Sequence, residues 1–249
     1  MAKIIVLLKQ VPDLVEDLEV DASGKALDRS DIKFKLNEFD DHALEEAILL
    51  KESGSADEVV AMAVDGDDVD KMLFTAVAKG ADRAVKLTGG NPIDSHQMGK
   101  AFSNALGSEE YDLVFTGVQS VDDRDGQLGP IVASYLNKPC VSVVSGVSVS
   151  GGIALVHKEY SGGIVGEFEM VLPGVLGIQA AKQPPRYAPV SKIRQVQKTV
   201  SIEEASMGDL GSGSGSAITS MTTPEKGASA KMLDDVDDLI DVLKEKGAL

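Results

Sequence analysis

Short apolar runs of strand length alternate with helical stretches four times in the first part of this sequence. The first run, KIIVLL, covers residues 3–8, and later runs cover residues 58–64, 84–87 and 113–115. Segments whose apolar residues recur at helical spacing come between these runs and after the last one. This alternation favours a mostly parallel α/β sheet with right-handed crossovers and helices on both faces.

The first predicted helix opens at Asn37, which is a natural N-cap residue. Its inward stripe is formed by Ala43, Leu44, Ala47 and Ile48, while Glu45, Glu46 and Lys51 are expected to face water. Two further helices are predicted over residues 67–79 and 95–106, and a fourth begins near Leu128. Residues 14–36 suggest a small hairpin excursion around Ser23 and Gly24.

The pattern changes after Cys140. Residues 141–149, 153–160 and 165–172 alternate as antiparallel strands, and residues 173–178, PGVLGI, form a final apolar strand. We expect these strands to extend the edge of the same sheet. The interpretation is a nucleotide-binding α/β domain over residues 1–199.

Residues 200–249 are expected to form a C-terminal arm. The arm is preceded by a Pro-rich, basic segment, and its GSGSGS stretch at 211–216 has the composition of a flexible linker. A helix is predicted over residues 234–246, with Val236, Leu239, Ile240 and Leu243 on one face. We expect that face to dock on a partner subunit, although it could also fold back on its own domain.

Composition excludes several classes of partner. The formal net charge is −16, so nucleic acid and anionic membrane surfaces are poor partners. No apolar run approaches the ~20 residues of a membrane span, and the single cysteine, Cys140, fits a reducing compartment. His42 has no second histidine or cysteine at ligand spacing, so no metal site is predicted. A soluble protein of the cytoplasm, or of a matrix-like compartment, is expected.

The loop after the fourth apolar run has the pattern of a nucleotide site. Gly117 and Gly126 allow a phosphate to approach the backbone, and the side chains of Gln119 and Gln127 can donate to a phosphate or an adenine edge. A strand, a glycine-bearing loop and a helix start place unpaired N–H groups where phosphates bind. No Walker lysine follows the loop, and an ordinary strand-to-helix turn remains an equal alternative at this point.

The aspartates of this loop cannot hold phosphate. Asp122, Asp123 and Asp125 would suit ribose hydroxyls, or they could cap the following helix, since Asp125 stands just before its first turn. The pattern therefore indicates an adenine nucleotide rather than any particular reaction.

The sequence resembles the β subunit of electron transfer flavoprotein over essentially its whole length. The matching stretches, in order, are VLLKQVPD, LNEFDDHALEEAILLKE, GADRAVKL, GVQSVDDRDGQLGPIVASYL, QPPRYAPVSKI and PEKG. The resemblance implies a Rossmann-like (adenine nucleotide hydrolase-like) domain. It also implies an α subunit that carries the redox-active FAD. In the respiratory type the β subunit holds AMP, and in the electron-bifurcating type it holds a second FAD.

The resemblance also implies site residues. The nucleotide contacts would be Leu7, Asn37, Glu38, Phe39, Asp40, Val64, Gly117, Val118, Gln119, Ser120, Val121, Asp122, Asp123, Arg124, Asp125, Gly126, Gln127 and Leu128. The loop that docks on partner dehydrogenases would comprise Ala181, Lys182, Gln183, Pro184, Pro185, Arg186 and Tyr187. Lys182 departs from the family pattern, because mitochondrial members have leucine at the tip of this loop.

The expected function is that of an electron-carrier subunit without catalytic residues of its own. It would pair with the α subunit, hold AMP structurally and serve flavin-containing dehydrogenases, with a quinone-linked oxidoreductase as a further possible partner. One alternative is the β subunit of a bifurcating protein that holds a second FAD. The remoter one is a stand-alone adenine-nucleotide enzyme or stress protein, which would need more phosphate-binding groups than this loop offers.

Overall fold

The computed structural model describes residues 2–224, 227, 230 and 232–249. The strands are β1 (Ala2–Leu8), β2 (Gln10–Pro12), β3 (Phe34–Leu36), β4 (Ala56–Val64), β5 (Arg83–Thr88), β6 (Leu113–Gly117), β7 (Cys140–Ser150), β8 (Ile153–Tyr160), β9 (Ile164–Val171), β10 (Gly174–Ile178) and β11 (Glu203–Ser206). The helices are α1 (Glu38–Glu52), α2 (Val69–Lys79), α3 (Ser95–Leu106), α4 (Leu128–Leu136), α5 (Val190–Thr199) and α6 (Val236–Glu245).

Within the described residues, nine strands form one sheet, here called the main sheet. Their order across the sheet is β11, β5, β4, β1, β6, β10, β7, β8, β9. All neighbours from β11 to β7 run parallel, and β8 and β9 follow as antiparallel strands. The predicted α/β class, with its antiparallel extension, is therefore confirmed. Of the described helices, none combines the length and the apolar character that a bilayer crossing requires.

The side chains of β1 alternate between two apolar layers. Ile4, Val6 and Leu8 pack with residues of α1 and α2, whereas Ile5 and Leu7 pack with residues of α3 and α4. A parallel strand that is covered on both faces must be apolar at every position, which explains why its sequence reads as an uninterrupted hydrophobic run.

Strand β10 does not lie where the sequence suggested. Its five residues are all buried, and it pairs with β6 on one side and β7 on the other, so it is an interior strand rather than an edge extension. The β7–β8–β9 meander carries the chain outward and returns it to this inner position. The glycine at 177 fits the crowded place, because a Cβ there would lie 2.6 Å from Ser142 Oγ.

The predicted boundary between domain and arm is also placed differently. Strand β11, within the predicted arm, pairs with β5, and the side chain of Met207 after it is fully buried. The glycine–serine stretch continues along α3, where Ser214 N–H donates to the Asp94 carboxylate at 2.5 Å. One compact unit therefore runs up to Leu18 and from Arg29 to Ala217. A strand as short as β11 has too few residues to show the alternation of apolar and polar positions from which a strand is predicted.

Residues 19–28 and the described residues of 218–249 form a second compact unit. The predicted hairpin is present, with Val20 bridging Leu27 and a turn at Ser23 and Gly24. Helix α6 lies within the predicted range and is capped by Asp235, whose carboxylate accepts from Asp238 N–H at 3.0 Å. Its residues Val236 and Leu239 are exposed. Of the matching stretch at 224–227, Glu225 and Lys226 lie outside the described residues.

Candidate functional site

The order in which strands are added to the main sheet reverses between β1 and β6. From β1 the chain builds β4 and β5 on one side, and then crosses to β6 on the other side. In an open parallel sheet, loops that leave the carboxyl ends of two such strands diverge and leave a crevice, where ligands bind. The loop after β6 and the start of α1 meet at this switch point.

Asp40 ties the two strand ends together. Its carboxylate accepts hydrogen bonds from the N–H of Lys9, just after β1, and from the N–H of Gly117 at the end of β6, both at 2.8 Å. The residue is 3% exposed, and burial raises the pKa of its carboxyl to about 7. The close approach requires glycine at 117, because a Cβ there would lie 2.4 Å from Asp40 Oδ1.

The loop from Gly117 to Gln127 is folded by its own side chains. Ser120 Oγ donates to Asp123 Oδ1 at 2.9 Å, and the same oxygen accepts from Asp125 N–H at 3.2 Å. Asp125 in turn accepts from Gln127 N–H at 3.1 Å. This bond closes the turn before α4, but it does not cap the helix as the sequence suggested, because Gln127 is itself the N-cap residue and α4 has no side-chain cap. Arg124 and Gly126 adopt positive φ angles, 55° and 64°, so the backbone turns sharply before α4.

The lysine that directly follows β1 reaches this loop. Lys9 Nζ donates to Ser120 Oγ at 2.9 Å, to Asp122 Oδ1 at 2.9 Å and to Asp123 Oδ2 at 2.6 Å. Burial opposes the positive charge of Lys9, but the two aspartates outweigh burial and raise its pKa. Burial likewise would raise the pKa of Asp123, and the bond from Lys9 brings it below its ordinary value.

Asn37 stands at the N-cap position of α1, but its side chain does not cap the helix. Instead, Asn37 Nδ2 donates to the Gln119 carbonyl at 2.8 Å, so it joins the helix start to the loop. Its Oδ1 is buried and has no hydrogen-bond partner within the described part of the chain. The cap prediction therefore holds for the position and fails for the interaction, because the side chain bonds the loop through Nδ2 while Oδ1, the atom that would accept from the helix N–H groups, has no donor.

The structure brings most of the predicted site residues to this one edge. Asn37, Asp40 and the loop residues Gly117 to Leu128 lie around the switch point. Leu7 and Val64 lie near the carboxyl ends of β1 and β4, but the Leu7 side chain is fully buried in the layer with α3 and α4. It could offer only its backbone to a ligand. The guanidinium of Arg124 is exposed and forms no ion pair among the described residues.

The predicted docking segment, Ala181–Tyr187, is anchored on α1. The Arg186 guanidinium forms a two-pronged pair with Glu45, with Nε and Nη2 at 3.0 and 2.8 Å from Oε1, and it also bonds Glu52. Lys182 N–H donates to Glu46 at 2.9 Å, and Tyr187 is 79% exposed. Lys182 and Arg186 thus fix the segment on α1, while Tyr187 at its end is exposed to solvent.

The prediction that Glu45 and Glu46 of α1 face water is wrong. Glu45 and Glu46 do not face water; they are 3% and 1% exposed beneath the docking segment. Burial raises the pKa of the Glu46 carboxyl. Helical spacing alone could not reveal this, because the cover comes from residues more than a hundred positions later. His42 is likewise engaged, since its Nδ1 accepts from Ala181 N–H at 3.2 Å.

Sequence reasoning missed Lys9 as a site residue. Arg124 is the only cation within the loop sequence 117–127. The cation that contacts the aspartates is instead Lys9, which directly follows β1. A signal was available: Lys9 directly follows the buried strand that begins the sheet, and the carboxyl end of that strand belongs to the switch point.

An open, mostly parallel sheet with a polar cluster at its switch point defines the class of Rossmann-like α/β proteins. Comparison with known proteins is more specific, because the family model described as "Electron transfer flavoprotein domain" matches residues 25–207. The chain therefore belongs to the electron transfer flavoprotein family, and its relatives place it among the β subunits.

Three of those relatives span almost the whole chain. An electron transfer flavoprotein subunit beta of Methylophilus methylotrophus is 39% identical over 238 residues, which are 90% of each chain. The mitochondrial subunit beta of Arabidopsis thaliana is 31% identical over 248 residues, and that of Mus musculus is 29% identical over 252. Both alignments cover 98% of each chain.

Proposed function

We propose that this chain is the β subunit of a heterodimeric electron transfer flavoprotein and that it holds AMP structurally at the switch point. The FAD of the α subunit would supply the redox chemistry. The residues of this chain bind the nucleotide, position the loop around it and dock the redox partner. Membership of the family supports the subunit assignment, and the geometry of the crevice supports the nucleotide.

The observation that carries the nucleotide proposal is the open start of α4. Within the described chain, the N–H groups of Leu128 and Gly129 have no protein acceptor, whereas Gln127 N–H is already bonded to Asp125. Unpaired N–H groups at a helix N-terminus, together with the helix dipole, form a site for phosphate. The positive φ of Gly126 lets the backbone turn into that helix without a side chain in the way.

The rest of the crevice fits the remainder of an adenylate. The unpartnered Oδ1 of Asn37 is a free acceptor at the start of α1, and the carbonyl and amide groups of Gln119 lie on the loop opposite it. Neutral amides of this kind suit an adenine edge. The exposed carboxylates of the loop suit ribose hydroxyls, as the sequence pattern suggested.

The docking segment is proposed to contact flavin-containing dehydrogenases, and a quinone-linked oxidoreductase would receive the electrons. Support comes from its form: Arg186 and the backbone of Lys182 hold its base on α1, while Tyr187 projects into solvent. A surface that is fixed at its base contacts a partner with little loss of conformational entropy.

The deciding experiment is to purify the heterodimer, denature it and quantify the released nucleotides by chromatography. We expect one FAD and one AMP per heterodimer. Two FAD and no AMP would identify a bifurcating protein, in which the adenylate half of a second FAD occupies the same crevice. ATP released from a chain that purifies without a partner would instead favour a stand-alone nucleotide enzyme and contradict the proposal.

A further inference from the structure

Lys9 is the cation that connects the sheet to the loop of the proposed nucleotide site. Its side chain is 17% exposed and contacts three groups of the loop, Ser120, Asp122 and Asp123. Its backbone N–H donates to Asp40, and its carbonyl accepts from Asn37 N–H at 3.0 Å. Lys9 therefore connects the end of β1 both with the start of α1 and with the loop.

The loop carries a charge that is unfavourable for an anionic ligand. Asp122, Asp123 and Asp125 all lie within six residues of the start of α4, where a phosphate would bind. Unit charges of like sign about 4 Å apart repel by about 1 kcal/mol in water and by about 4 kcal/mol at an effective dielectric constant of about 20. Among the described residues, Asp125 accepts hydrogen bonds from the Ser95 hydroxyl and from Gln127 N–H, and no cation is paired with it.

Arg124 does not provide the compensating charge. Its guanidinium is exposed and forms no ion pair among the described residues, whereas Lys9 is ion-paired to both Asp122 and Asp123. The net charge near a phosphate bound at this loop therefore depends on Lys9, which follows β1, and not on a cation of the loop itself.

We propose that Lys9 is a positioning residue for the phosphate group of an adenine nucleotide, acting by neutralising Asp122 and Asp123 and holding their loop in place. Lys9 acts through the two aspartates and does not itself contact the phosphate. This inference rests on the proposed nucleotide site. It implies that Lys9 controls the affinity for the phosphate-bearing nucleotide more than the affinity for the nucleoside.

The test compares AMP with adenosine. The full-length chain is produced with its α partner and freed of nucleotide, and both dissociation constants are measured by equilibrium dialysis. In Lys9→Met we expect the dissociation constant of AMP to rise about tenfold or more, and that of adenosine to change less than about threefold. Lys35→Met is the matched control, because Lys35 is an exposed lysine paired with Asp13 and lies outside the crevice; it should change neither constant.

Two further variants separate the possible causes. Asp122 has Lys9 as its only hydrogen-bond partner within the described chain, so Lys9→Met/Asp122→Asn should recover part of the lost AMP affinity. Asp122→Asn alone should tighten AMP binding severalfold relative to adenosine, and this measurement serves if Lys9→Met does not fold.

Each contrary outcome has a distinct meaning. Equal weakening of AMP and adenosine in Lys9→Met would show a purely structural lysine and overturn the inference. Failure of Asp122→Asn to restore AMP binding, or weaker AMP binding in Asp122→Asn alone, would show that Lys9 contacts the phosphate directly and would also overturn it. If the unaltered protein binds neither ligand, the proposed nucleotide site itself is wrong.

Discussion

At the scale of single residues, the crevice depends on contacts that leave no room for larger side chains. Gly117 lies against Asp40, and Gly129 lies against Thr116, whose Oγ1 would be 2.9 Å from a Cβ at that position. Interiors packed this closely do not absorb an added methyl group without moving their neighbours. The residues around the two glycines therefore fix the distance between α1, β6 and α4.

Replacement of Gly117 by alanine should disrupt this arrangement. The new Cβ would lie 2.4 Å from Asp40 Oδ1 and 2.8 Å from Asp40 N, so backbone must shift. We expect the free energy of unfolding to fall by about 1–3 kcal/mol, as overpacking does elsewhere, and AMP binding to weaken. Urea unfolding would measure the loss. Gly66→Ala is the control, because its Cβ would meet nothing closer than 3.5 Å; equal stabilities of the two variants would contradict the packing argument.

The buried carboxyl of Asp40 should make stability depend on pH. Its pKa rises from 3.8 to about 7 on folding, because burial disfavours the charged form. Between these two values the native state binds a proton that the unfolded state has lost, so this group stabilises the native state at low pH, and that contribution is lost as pH rises through about 7.

Asp40→Asn removes this titration. The difference in free energy of unfolding between the unaltered protein and Asp40→Asn should therefore decrease from pH 5 to pH 8, and urea unfolding at both values would measure it. Taking the difference cancels the titration of the other carboxyls. A difference that stays constant, or that grows with pH, would mean that Asp40 is already ionised in the native protein at pH 5.

At the scale of elements, what the sequence revealed depended on how far each signal extends along the chain. The apolar runs of β1 and β4 and the helical periodicity of α3 each extend over a full element, and these elements were predicted nearly to the residue. Strand β11 has four residues, and α5 buries none of its side chains. Both were missed, because neither contains a stripe that hydrophobic burial would impose.

The candidate site shows the same dependence. The glycines and amides of the loop could be read from a local motif, whereas Lys9 and the pairing of Arg186 with Glu45 join residues that are far apart in sequence. A charged pattern on a helix predicts a solvated face, and on α1 that prediction was wrong for Glu45 and Glu46. Cover provided by a distant segment is set by the fold, so no local pattern contains it.

The anchoring of the docking segment can be tested at Arg186. Arg186→Leu leaves Glu45, which is 3% exposed, without its cation. Breaking a buried pair on one side typically costs about 3–5 kcal/mol, and we expect less here because the Arg186 side chain is 30% exposed. The variant should lose stability, and the segment should become sensitive to limited proteolysis. If the segment docks dehydrogenases as proposed, electron transfer from such a partner should also slow.

Two variants control for this experiment. Arg186→Leu/Glu45→Gln removes both charges and should recover stability without recovering the ordered segment. Arg194→Leu, on exposed α5, should leave both stability and proteolysis unchanged. If Arg186→Leu and Arg194→Leu behaved alike, the pair with Glu45 would not be what holds the segment.

At the scale of the whole molecule, the C-terminal region divides at Ala217 rather than at residue 200. Residues 201–217 belong to the unit that contains the main sheet, where β11 pairs with β5 and Glu203 bonds Arg83. The described residues from 218 onward belong to the other unit, whose helix α6 exposes apolar side chains. A helix of this kind, with an exposed apolar face, is typical of a segment that docks on another protein.

Two truncations should therefore differ in their effect on the stability of the main sheet. Deletion of residues 218–249 should leave the main sheet intact and abolish stable pairing with the α subunit, because α6 is lost from the proposed interface. Deletion of residues 201–249 also removes β11 and the buried Met207, so the remaining sheet should unfold at a lower denaturant concentration. Co-purification with the α subunit and urea unfolding measure the two effects separately.

If the chain lacking 218–249 copurifies with the α subunit at full yield, the arm does not hold the heterodimer together. If it instead fails to fold, the second unit completes the core of the first.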